Sequence, residues 1–127
     1  MAVSCTNTNP TENTITTATR NAATSSTIDQ TEVFTITPTK ADNKVLIYIE
    51  NVAADQGTLT YSIAAGGFWA AGAALTGSVA QGVGRCIVLE GGKYKAAAGT
   101  IAITFTPASG KRLLTDHALR VTVFQMP

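Results

Sequence analysis

The chain has 127 residues, with nine Lys and Arg against eight Asp and Glu, for a formal net charge of +1. Charged residues make up only 13% and hydrophobic ones 45%. That is enough apolar material for one buried core, without the basic field that nucleic-acid or anionic-membrane binding needs. Such low charge also gives little electrostatic protection against self-association, which points to a protein that lives in an assembly.

Residues 1–30 are rich in Thr, Ser and Asn and carry only Glu12, Arg20 and Asp29 as charges. They hold too little apolar surface to offset the entropy of ordering on their own, yet Thr favours extended backbone. A separate N-terminal segment is therefore expected over residues 1–30. It is either disordered or an extended arm that orders against a neighbouring subunit. The weak alternation around Ile15 makes Thr14, Ile15 and Thr16 candidate partner contacts. MAVSCTNTNP has neither the basic nor the apolar region of a secretory signal, so synthesis in the cytoplasm is expected.

A folded domain is expected over residues 31–127. Glu32–Pro38 places Phe34 and Ile36 on one face, and Pro38 ends the strand because it cannot donate to a ladder. Lys44–Glu50 sets Val45, Ile47 and Ile49 against Leu46 and Tyr48. A strand apolar on both faces is central, or its outer face meets something. Thr58–Ala64 turns Leu59, Tyr61 and Ile63 inward, and its position predicts a hairpin with the strand before it.

Ala65–Gly84 is irregular and glycine-rich. Within it, Phe68 and Trp69 read either as a plug over the core or as an exposed aromatic pair at a binding surface, the second candidate contact. Leu75 and Val79 fit either a short edge strand or a cover over one end of the core. The apolar run Ala64–Leu75 is far shorter than the roughly 20 residues that span a bilayer.

Arg85–Glu90 sets Ile87 and Leu89 against Cys86 and Val88. Cys86, among apolar neighbours, is expected to be a buried thiol, and Cys5, in polar surroundings, a free one. Two cysteines so far apart do not make a disulfide framework. In GGKYKAAAGTIAITFTP, Ile101, Ile103 and Phe105 alternate with Ala102, Thr104 and Thr106, the mark of a strand with one buried face. Ala118–Gln125 places Leu119, Val121 and Val123 inward and Arg120, Thr122 and Phe124 outward. Six or seven short strands joined by Gly, Asp and Asn turns predict an all-β fold. The expected form is an antiparallel β-sandwich, immunoglobulin-like or jelly-roll-like, with an extended N-terminal arm.

Chemistry is sparse. The one histidine, His117, follows Asp116. Neighbours in an extended segment point opposite ways, so Asp116 is badly placed to orient the ring. One His and two distant Cys do not make a zinc site, and the acids show no calcium-loop spacing. Gly91-Gly92-Lys93 lacks the G-x-x-x-x-G-K-[ST] phosphate loop and leads into a strand. No catalytic, cofactor or metal-binding residue is expected.

The segments DNKVLIYIEN, RCIVLE, GGKYKAAAGTIAITFTP and ALRVTVFQMP, together with the glycine- and alanine-rich middle, carry a resemblance. Over residues 31–127 the chain resembles the small β-sandwich head proteins of tailed bacteriophages, the capsid decoration or auxiliary proteins. The resemblance implies a non-enzymatic virion component, made in the host cytoplasm and carried on the capsid surface without a cofactor. It implies as partners the major capsid protein and further copies of the chain, often as a trimer, with neighbouring capsid subunits braced together. Two other expectations stand beside it: another virion role, in the tail, neck or a fibre, and a carbohydrate-binding or adhesive sandwich module.

Overall fold

The computed structural model describes residues 2–39, 45–53, 56–67, 73–89 and 94–126. They form ten strands: β1 Ala2–Ser4, β2 Asn7–Thr8, β3 Arg20–Ala22, β4 Glu32–Ile36, β5 Val45–Asn51, β6 Leu59–Ile63, β7 Leu75–Val79, β8 Val83–Val88, β9 Ile101–Thr106 and β10 Arg120–Gln125. Two sheets result. Sheet A has the order β1-β4-β9-β6-β7. Sheet B has the order β2-β10-β5-β8, with β3 also on β10.

The pairing is nested. β6 pairs with β7, β5 with β8, β4 with β9 and β3 with β10, all antiparallel. The chain thus makes one long antiparallel ribbon, rolled so that β10 also meets β5 and β9 also meets β6. Of the two expected sandwich types this is the jelly roll. It corrects one local expectation: β5 and β6 do not form a hairpin. They lie in opposite sheets, and β6 takes β7 and β9 as neighbours. Alternation tells which face of a strand is buried but not which strand lies beside it.

The expected inward residues fill the space between the sheets. Phe34, Ile36, Val45, Ile47, Ile49, Leu59, Ile63, Ile103, Phe105, Leu119, Val121 and Val123 are all fully buried. Phe34 and Phe105 meet edge to face at 5.1 Å and 79°, the arrangement their ring quadrupoles favour. Tyr61 also points inward, and its ring lies across Gly77, the residue directly opposite on β7. A side chain at Gly77 would occupy the space of that ring.

Three short strands within residues 2–30 join the sandwich. β1 pairs with β4 and β2 with β10, both parallel, which makes the sheets mixed rather than purely antiparallel. Ala23 enters the core, and Val3 and Cys5 pack against it. Polar bonds compensate for scarce apolar surface. Asn21 accepts from the Thr6 N–H at 2.7 Å and donates to the Thr6 and Val121 carbonyls at 3.1 and 2.9 Å. The buried Glu32 carboxylate accepts from the Thr24 N–H at 3.0 Å, the Ser25 N–H at 3.3 Å and the Thr24 hydroxyl.

Candidate functional site

The outer face of sheet A is chemically uniform along its described strands. Across its five strands the outward residues are Ala2 and Ser4, Val33 and Thr35, Ala102, Thr104 and Thr106, Thr60 and Ser62, and Thr76 and Ser78. None is charged, and none is larger than valine or threonine. The registers align their hydroxyls in rows. Ser78, Thr60 and Thr106 stand side by side, as do Thr76, Ser62 and Thr104. Neighbouring strands lie about 4.8 Å apart, and successive outward residues of one strand about 6.7 Å. The rows line a shallow groove of about 440 Å³.

Sheet B has a different outer face. Leu46, Phe124 and Val88 form an apolar row, beside Tyr48, Cys86 and Thr122. Arg20 and Glu50 form an ion pair at 3.7 Å. β5 is central, between β10 and β8, which accounts for its two apolar faces. β8 is the edge, and this corrects the expectation for Cys86. Its thiol is exposed, because an outward side chain on an edge strand has no covering layer. Cys5 is free and half-buried, and burial pushes its thiol up to about 12.

The buried titratable groups are committed to structural bonds. His117 is fully buried. Its Nδ1 faces Asn51 Oδ1 at 3.2 Å, and its Nε2 accepts from the Ala108 N–H at 3.0 Å. Asn51 in turn donates to the carbonyls of Gly57 and Val79 at 3.0 and 3.1 Å. The acceptor role of Nε2 places the proton on Nδ1, so the ring is neutral. Burial lowers its pKa; the Asp116 charge acts upward and the Lys111 charge downward, both less strongly. Asp116 bonds the Arg112 N–H at 2.7 Å, so it is Asn51 and not Asp116 that holds the ring. Among the described residues, no three His, Cys, Asp or Glu side chains come together as metal ligands.

Thr14, Ile15 and Thr16 lie in an exposed loop between β2 and β3, and Ile15 is fully exposed. The loop is closed at its base by the Thr19 N–H donating to Thr8 Oγ1 at 2.9 Å. Phe68 and Trp69 lie outside the described residues. The sequence alone does not reveal sheet A's hydroxyl rows. Their trace is a hydroxyl residue at alternate positions, in Thr60-Tyr61-Ser62, Thr76-Gly77-Ser78 and Thr104-Phe105-Thr106. Only the pairing of β7, β6 and β9 shows that these segments align. No family model, curated protein or solved structure matches the chain.

Proposed function

We propose that this protein is a non-enzymatic structural component of a phage particle, which decorates the outer capsid surface and stabilises it by binding neighbouring capsid subunits. The observation that carries the reading is the uncharged outer face of sheet A. Interface centres are depleted in charge. A face of Thr, Ser and Ala lets a partner approach closely and loses little side-chain entropy when covered. Its hydroxyls serve as donors or acceptors, so they can match the polar groups of an opposing surface. The jelly roll supplies a rigid platform beneath them, and viral capsid domains are among the users of that fold.

The test is co-sedimentation with undecorated capsids assembled from the proposed partner, a phage major capsid protein. Binding through an uncharged face is expected to change little with ionic strength. Thr104→Arg, in the middle of the hydroxyl rows, should abolish binding while leaving the circular dichroism spectrum unchanged. Wild-type binding by that variant, or steep loss of binding with salt, would count against the assignment. A second reading, an adhesive module for neutral glycans, draws on the groove along the same rows. Capture of a glycan by the wild type but not by Thr104→Arg would favour it.

A further inference from the structure

β8 is the longest strand at a sheet edge. It has six residues, against five in β7, three in β1 and two in β2. Its register with β5 runs unbroken from Leu46–Val88 to Asn51–Val83, so no bulge turns it away. It contains no proline, and five of its six residues are exposed, with Val88 at 64%. No described strand pairs with its outer side. Edge strands are normally blocked by a bulge, a proline, a charge or a covering segment. Among the described residues the only such feature is Arg85, on the inward-facing side opposite Ile49.

We propose that β8 pairs antiparallel with β8 of a second copy about a two-fold axis perpendicular to the sheet, joining sheet B of both copies. Such an axis keeps inward residues inward, so it can pass only through a residue paired with itself. An axis at Arg85 sets two guanidinium groups directly opposite each other, which is destabilising. An axis at Ile87 leaves only residues 86–88 of the strand paired. An axis at Cys86 pairs residues 84–88 and sets Arg85 opposite Ile87. It also sets Gly84 opposite Val88 of the other copy. The Tyr48 ring covers Gly84, so the incoming valine meets an aromatic surface instead of open space. A small residue thus faces a large one at both ends of the pairing, as self-complementarity requires.

The proposal does not rest on the capsid assignment and uses the opposite sheet, so Thr104→Arg should leave it intact. Sedimentation of the full chain over a range of concentrations is expected to show two-chain particles. Val88→Lys should return them to single chains with an unchanged circular dichroism spectrum and denaturation midpoint. Directly opposed residues have Cα atoms about 4.5–5.5 Å apart, within the range a disulfide spans. Diamide should therefore link the pair through Cys86, taking up the two electrons and two protons of the thiols. Cys86→Ser should abolish the link but not the dimer. A single chain at every concentration overturns the proposal. So does a three-chain species, or a dimer that survives Val88→Lys and is not linked through Cys86.

Discussion

Acidification should loosen the end of the sandwich where His117 holds three segments together. The ring bonds Asn51 on β5 and the Ala108 N–H beyond β9, and it sits two residues before Leu119 of the core. Protonating Nε2 turns the acceptor for Ala108 into a donor facing a donor. An unmade buried bond of this kind costs about 1–3 kcal/mol, against a total stability of about 5–15 kcal/mol for a domain. The folded pKa lies below the ordinary 6.5 because burial disfavours the imidazolium. On acidification the unfolded chain therefore takes up the proton first. Stability is complete above pH 6.5, falls as the pH drops below it, and levels off below the folded pKa. One proton gives a slope of at most about 1.4 kcal/mol per pH unit. His117 is the only histidine, the side-chain type that ordinarily changes charge between pH 5 and 8. Urea unfolding at a series of pH values should show this slope in the wild type and not in His117→Gln. A flat wild-type profile, or an equal slope in the variant, would refute the role assigned to the ring.

Three further outcomes follow from the packing. Glu32→Gln weakens the charge-assisted bonds that tie Thr24 and Ser25 to β4; a loss of about 1.5–3 kcal/mol should appear as a lower urea midpoint at unchanged slope. Ile103→Asp puts an unpaired carboxylate at a fully buried position between the sheets, so soluble folded protein should be lost, as judged by circular dichroism. A thiol reagent at pH 8 should modify exposed Cys86 at once. Cys5, held near 12, has a thiolate fraction of only about one in ten thousand there and should react only on unfolding.

The buried faces were legible in the sequence because alternation is a local signal. Phe34 and Ile36, Ile101, Ile103 and Phe105, and Leu119, Val121 and Val123 all turn inward as their spacing implies. Of the two readings open for Leu75 and Val79, the edge strand is the one that forms. The nested pairing was not legible, since it joins residues as distant as Asn21 and Val121. The N-terminal strands escaped notice for another reason. Their attachment runs through backbone pairing and the amide of Asn21, which leave no apolar pattern. Cys86 was misjudged because apolar neighbours look alike in a central strand and in an edge strand. The hydroxyl face was visible only as scattered Thr-x-Thr and Thr-x-Ser segments until the registers aligned them.

The most direct test of the proposed capsid role is a particle reconstruction with this chain bound, at a resolution that traces its strands. Density is expected on the outer capsid surface, with Thr60, Thr76 and Thr104 of sheet A facing neighbouring capsid subunits. Density confined to the tail or neck would contradict it. So would a chain seated on the shell with sheet A turned to solvent.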